Sequence, residues 1–160
     1  MEQRLNYMEV DPKLVHAMFG LGGAVAKSGL ETSLIDLINF RVSQMNGCAY
    51  CLDMHSKDLR AAGETEQRLY LLEAWRESPF YSDRERAALA WAEAVTLLTN
   101  KEVPDAVYEQ ARAQFNEHEL AMLTLAVVAI NSWNRLNIAF RTTPGSYQPG
   151  MFKTASHSAK

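Results

Sequence analysis

A chain of 160 residues, 48% of them hydrophobic and 22% charged, has the size and apolar content for one domain with a real core and no need of a second. Its formal net charge of −3, with Lys and Arg scattered among acidic residues, excludes a general electrostatic attraction to nucleic acid or to an anionic membrane surface. Two cysteines three positions apart are too few for a secreted disulfide scaffold and suit a redox pair in a reducing compartment.

The first residues, Met1 to Tyr7, lack the apolar run of a secretory signal, so a cytoplasmic location is expected. The longest apolar stretch, Leu120 to Ile130, is about half of the roughly 20 residues needed to span a bilayer and reads as a buried helix, so no membrane partner is expected.

Helical signals recur along the chain, and the alternating runs and Asn-Gly hairpins of a sheet protein do not; the fold class is all-α. Asp11 followed by Pro12 opens a first helix, weakening near Gly20, Gly22 and Gly23 and ending by Gly29. Ser33 with Asp36 reads as a capping box, and Leu34, Ile35, Leu37, Ile38 and Val42 give the second helix an apolar face. Asn46-Gly47 ends it, because both residues tolerate left-handed backbone angles. A third helix begins beside Cys48 and stops at Gly63.

Thr65 to Trp75 reads as a short helix interrupted by Ser78-Pro79. Ser82 and Glu85 form a stronger capping box before the helix-forming run Ala87 to Leu98. Pro104 starts a helix over about 104 to 115, and Asn116 with Glu119 starts a last long one that ends by about 142, before Pro144-Gly145. The sum is about seven helices in one bundle over residues 1–150, followed by a poorly ordered tail over 151–160.

In Asn46-Gly47-Cys48-Ala49-Tyr50-Cys51-Leu52-Asp53-Met54-His55, the reactive side chains fall at i, i+3 and i+7, within roughly a 60° arc of one helix face. Cys48 and Cys51 are close enough in a first helical turn to form a disulfide, and His55 can stand beside the second sulfur. An unperturbed thiol has a pKa of about 8.5. A helix start after Gly47 and an imidazole that exchanges protons both favour thiolate. Such a thiolate can attack the O–O bond of a hydroperoxide, become a sulfenic acid, and condense with the neighbouring thiol to a disulfide that an external dithiol resets. Helix-dipole reasoning alone favours Cys48 as the nucleophile.

Zinc is the bland alternative for a Cys-x-x-Cys pair. It needs four ligands, whereas the chain has His16, His55, His118 and His157 and no second such pair, so no metal is expected. Leu52 after Cys51 disfavours a c-type haem, and no other cofactor is implied. Asp36 is either a capping carboxylate or a catalytic one; His118, in a first helical turn, is read as solvated or capping. Asn131, Asn134, Arg135 and Asn137 are read as holding buried backbone or a neighbouring subunit, Trp75, Trp91 and Trp133 as core or interface, and Glu93 as a surface residue with a pocket carboxylate as the alternative.

The segment Arg41-Val-Ser-Gln-Met-Asn-Gly-Cys48-Ala-Tyr-Cys51-Leu-Asp-Met-His55 resembles the core motif of the AhpD-like alkylhydroperoxidases, a branch of the carboxymuconolactone decarboxylase family. The stretches Ala61 to Tyr70, Asp83 to Ala94 and Asn131 to Phe140 also resemble that family, over roughly residues 10 to 148. The resemblance implies an AhpD-like helical fold assembled as homotrimers or homohexamers. It also implies peroxidase activity, with Cys51 as the sulfenic-acid residue, Cys48 as its partner and His55 in the proton relay. The implied reductant is an external dithiol such as a lipoyl protein. The family motif usually places a glutamate twelve residues before the first cysteine; here it is Asp36, one methylene shorter. Some relatives carry a histidine between the cysteines, where this chain has Tyr50. Two other readings stand beside peroxidase: a redox-sensing oligomer that uses the disulfide as a switch, and carboxymuconolactone decarboxylation, whose practitioners lack the cysteine pair.

Overall fold

The computed structural model describes residues 2–152, and every regular element among them is helical. A single turn, α1 (Tyr7–Val10), precedes α2 (Pro12–Ala26), α3 (Thr32–Asn46), α4 (Ala49–Ala61), α5 (Glu66–Leu71), α6 (Asp83–Leu97), α7 (Asp105–Gln114) and α8 (Glu117–Phe140). Short 3-10 turns follow α5 and α6 at Leu72–Ala74 and Thr99–Lys101. The all-α expectation holds among the described residues. The count rises from about seven because α1 is too short to leave a periodic signal.

Most boundaries follow from cap chemistry. Asp11 accepts from the Lys13 backbone N–H at 2.8 Å, with Pro12 at the first helical position, and α2 runs through its three glycines to Ala26. The Ser82/Glu85 and Asn116/Glu119 boxes form as read, each with side chain and backbone bonded reciprocally. One box does not form. The N-cap of α3 is Glu31, without a side-chain cap, so Ser33 lies inside the first turn and cannot adopt the extended backbone of a cap. Asp36 lies on the wall of the cavity described below.

α3 is the central element, packed against α4, α6 and α8. Leu34, Leu37, Ile38 and Val42 of α3 meet Ala87, Ala88 and Leu89 of α6 and Leu123, Val127 and Ile130 of α8 in one apolar cluster. Each fully buried Leu, Ile or Val contributes roughly 1.5–3 kcal/mol relative to an exposed one. The small residues of α6 let it approach α3 closely, which a larger side chain at Ala87 or Ala88 would prevent.

Glu93 departs from its expected surface place. It is 8% exposed and accepts from Trp75 Nε1 at 2.8 Å, Arg41 Nε at 2.8 Å and Arg76 Nη1 at 2.6 Å. A buried carboxylate persists only when its lone pairs are taken up in this way. The α8 asparagines hold backbone in part, with Asn131 Nδ2 donating to Val127 O at 3.0 Å, and otherwise bond side chains. Asn46 Nδ2 donates to Asn131 Oδ1 at 3.0 Å and to Asn134 Oδ1 at 2.8 Å, and Asn134 Nδ2 donates to Ser43 Oγ at 3.1 Å. These bonds fasten the C-terminal end of α3, and the turn that follows it, to α8. Trp75 is a core residue, Trp91 donates to Thr124 Oγ1 at 3.0 Å, and half-buried Trp133 packs near Phe19. His118 places Nε2 3.3 Å from the Ser28 carbonyl.

Of the expected tail, residues 153–160 lie outside the described residues. Met151 and Phe152 are in a turn, with the Phe152 ring against Phe19 and Tyr147. No helix among the described residues is long and apolar enough to cross a membrane.

Candidate active site

Gly47 sets the position of the first cysteine. It adopts φ +68°, the left-handed conformation that closes α3, and the Gly47 and Cys48 N–H groups bond back to Gln44 O at 3.2 Å and Ser43 O at 3.1 Å. Cys48 then becomes the N-cap of α4. Its sulfur accepts from the Cys51 backbone N–H at 3.3 Å, a thiol occupying the place of a Ser or Asp cap. The two cysteines, with Cα atoms 5.3 Å apart, are joined in a disulfide, and each is 1% exposed.

The sulfurs are not equivalent. Cys51 lines a cavity of about 390 Å³ enclosed by α1, α2, α3, α4, α8 and the C-terminal segment, whereas Cys48 does not reach its wall. The wall is mostly apolar, with Phe19, Val25, Ile35, Ile130, Trp133 and Phe152 as its larger groups. Gly22 and Gly23 of α2 also line it, and a Cβ on either would meet nothing within 4 Å, so these positions widen the space. The polar groups on the wall are few: Tyr7, Asp36, Asn39, Tyr50, His55, Asp58, Asn137 and Tyr147 among them. This is the composition of a ligand site, a largely apolar concavity with a small set of convergent polar groups.

His55 lies one turn beyond Cys51 on α4, 7% exposed, and its Nε2 has no hydrogen-bond partner. Burial lowers its pKa from 6.5 to about 4, so at neutral pH the imidazole is uncharged and able to accept a proton. Asn137 reaches across from α8 and donates Nδ2–H to Cys51 Sγ at 3.5 Å, while the Tyr7 hydroxyl donates to Asn137 Oδ1 at 3.0 Å. The four expected site residues, Cys48, Cys51, His55 and Asp36, thus fall in one neighbourhood, three of them on the cavity wall.

Sequence reasoning missed several wall residues. The C-terminal segment is strapped across α4: Gly145 N donates to Asp53 Oδ2 at 2.9 Å, Lys57 Nζ donates to Tyr147 O at 3.1 Å, and Tyr147 OH donates to Asp58 at 2.9 Å. This brings Tyr147 and Phe152 to the cavity. The only trace in the sequence is two aromatics among Pro, Gly and Ser, where a solvated tail would carry polar residues. Among the described residues, no three His, Cys, Asp or Glu side chains gather as a metal site.

Comparison with known proteins agrees with this geometry. The model of the carboxymuconolactone decarboxylase family matches residues 12–94, which contain α2 to most of α6 and both cysteines. The uncharacterized protein YdfG of Bacillus subtilis is 45% identical over 139 residues, 87% of this chain and 95% of that protein. The alkyl hydroperoxide reductase AhpD of Mycobacteroides abscessus is 40% identical over 45 residues, 28% of this chain and 26% of that protein. Among solved structures, a protein of unknown function from Agrobacterium tumefaciens, described as a putative antioxidant defence protein AhpD, superposes with a TM-score of 0.87 at 42% identity. That superposition covers 91% of this chain and 100% of the other. By the family match, the relatives and the shared helical architecture, this chain belongs to the carboxymuconolactone decarboxylase family and has an AhpD-like fold.

Proposed function

We propose that the protein is a thiol-dependent peroxidase that reduces organic hydroperoxides through Cys51 and Cys48. The observation that carries this reading is a cysteine pair, closed as a disulfide, of which one sulfur faces an apolar cavity beside a buried, uncharged imidazole. In the reduced protein His55 takes the Cys51 proton, and the thiolate attacks the distal peroxide oxygen. The O–O bond breaks, Cys51 becomes a sulfenic acid, and the departing alkoxide takes a proton to leave as alcohol. The Cys48 thiol then condenses with the sulfenic acid, releasing water and forming the disulfide. An external dithiol, of the kind carried by lipoyl proteins, attacks Cys51 Sγ from the cavity. Cys48 departs as a thiolate at the start of α4, whose N–H groups suit an anion, and the second thiol of the dithiol then breaks the mixed disulfide, freeing Cys51 and leaving as the oxidised disulfide.

Asp36 faces the same cavity and serves as the carboxylate that steadies the proton on the imidazole, directly or through water. The working assembly is a homotrimer or homohexamer in the cytoplasm, where dithiol reductants are maintained. Decarboxylation of a muconolactone ring needs no sulfur and leaves the pair without a task.

The test is peroxide-dependent oxidation of dihydrolipoamide by the wild type and by Cys51→Ser and Cys48→Ser. Turnover is lost in both variants, and a sulfenic-acid trap labels Cys48→Ser but not Cys51→Ser. Full turnover in either variant sinks the two-cysteine cycle, and the opposite labelling pattern exchanges the two roles.

A further inference from the structure

The cavity presents Cys51 with no cation. Among the described residues no Lys or Arg lines it, His55 is uncharged because burial lowers its pKa to about 4, and Asp36 and Asp58 are carboxyl groups that oppose a second negative charge. The Cys51 backbone N–H is turned to Cys48 Sγ and not to its own sulfur. A Cys51 thiolate whose proton has gone to solvent therefore finds no cation on the cavity wall. One side-chain donor does reach this sulfur, the Asn137 amide at 3.5 Å.

We propose that Asn137 is a catalytic residue that stabilises the Cys51 thiolate by hydrogen bonding, and that Tyr7 is the positioning residue that fixes its amide in the donating orientation. The inference deepens the peroxidase reading and rests on the same sulfur. An Asn side chain carries an acceptor and a two-proton donor that exchange places when the amide turns over, and a thiolate can only accept. The sulfur's need for a donor sets Nδ2 towards Cys51, and the Tyr7 hydroxyl, donating to Oδ1 at 3.0 Å, holds the amide in that orientation. Both partners are held for this purpose. Asn137 is 5% exposed and Tyr7 4%, the Tyr7 ring packs on Phe140 at 5.7 Å between centroids, and the backbone N–H of Arg4 bonds Phe140 O at 3.0 Å. Burial pushes the Tyr7 phenol up to about 12, so it keeps its proton, and stays a donor, wherever the thiol titrates. The short helix α1 thus acquires a task, which is to carry one hydroxyl to α8.

The other titratable groups on the wall are Asp36 from α3, Tyr50, His55 and Asp58 from α4, and Tyr147 from the C-terminal segment. Tyr50 and Tyr147 are raised, chiefly by burial, and remain neutral through the same pH range. His55 is neutral above about pH 5. Tyr7→Phe and Asn137→Leu consequently change the dipoles at Cys51 and leave the formal charge around it intact.

The experiment measures the Cys51 thiol alone, in a Cys48→Ser background, from the pH dependence of its alkylation by iodoacetamide. Tyr7→Phe and Asn137→Leu each raise the thiol pKa by about one unit, the size expected for one hydrogen bond to an anion. Alkylation at pH 7 falls about tenfold in consequence, and the rates converge with the parent well above the pKa, which a merely misfolded site would not allow. Asn137→Asp raises the pKa further, because the donor is replaced by a carboxylate. An unchanged thiol pKa in Tyr7→Phe, the variant that alters least, overturns the proposal. The readout uses no peroxide: a raised pKa in a protein without peroxidase turnover retires the function and keeps the hydrogen bond, and an unchanged pKa in an active enzyme does the reverse.

Discussion

Arg41 of α3 and Glu93 of α6 form an ion pair at 2.8 Å between side chains that are only 12% and 10% exposed. Burial pushes the Glu93 carboxyl up, but hydrogen bonds from Trp75, Arg76 and Arg41 outweigh it and hold the group below the ordinary carboxylate value. Glu93→Gln keeps the shape and removes the charge, leaving the Arg41 guanidinium enclosed without its counterion. Breaking one side of such a pair costs about 3 kcal/mol. Arg76, 60% exposed, contributes about 0–1 kcal/mol by comparison. Urea midpoints of Glu93→Gln and Arg76→Ala therefore separate widely, and equal midpoints would show that water reaches the Arg41 pair.

Gly47 at φ +68° is the residue on which the placement of Cys48 depends. A Cβ there meets no neighbour, so the cost of Gly47→Ala is conformational: about 1–2 kcal/mol for an L-residue in the left-handed region. Gly47→Asn, which tolerates that region better, loses less. Thermal unfolding ranks the three proteins Gly, Asn, Ala; an Ala variant as stable as the wild type would mean that α3 can end in another way.

The difference between these two sites shows what a sequence makes legible. Gly47, the Asp11 cap and the boxes at Ser82 and Asn116 are complete within four residues, so their chemistry can be read from neighbours alone. The Cys-x-x-Cys-x-x-x-His arc is legible for the same reason, since one helix carries it. Glu93 was misplaced because Arg41 is 52 positions away in the chain, and Asn137 because Tyr7 is 130 away. The Ser33/Asp36 box does not form because the helix starts earlier, after Glu31, whose carbonyl takes the first helical bonds from Leu34 and Ile35 and leaves Ser33 inside the first turn. Tyr147 and Phe152 join the wall only through bonds to α4, made by a segment with no periodicity of its own.

Asp36 supplies a prediction for the proton relay. Asp36→Asn removes the carboxylate from the cavity wall with little change of shape and lowers peroxide kcat/KM by about 100-fold, the scale of one general acid–base group. Asp36→Glu, which retains the charge on a longer stem, stays within about tenfold of the wild type. Steady-state turnover of cumene hydroperoxide with dihydrolipoamide reads both, and an Asn variant as fast as the Glu variant removes Asp36 from the relay.

His55 gives the fold an acid-sensitive point of its own. Burial lowers its pKa from 6.5 to about 4, so the folded protein prefers the neutral ring while the unfolded chain takes up a proton below about 6.5. Between those values the unfolded state holds more protons, and stability rises with pH. The contribution is whole above about pH 6.5, declines as pH falls, and is fully lost below about pH 4; its size is about 3 kcal/mol. His55→Leu deletes this titration. The stability gap between wild type and variant, from urea unfolding at pH 7 and again at pH 4.5, should therefore move by about 2 kcal/mol in favour of the variant at the lower pH. A gap that is the same at both values would mean that His55 is as protonatable in the fold as in the open chain, and the case for a buried, uncharged imidazole beside Cys51 would go with it.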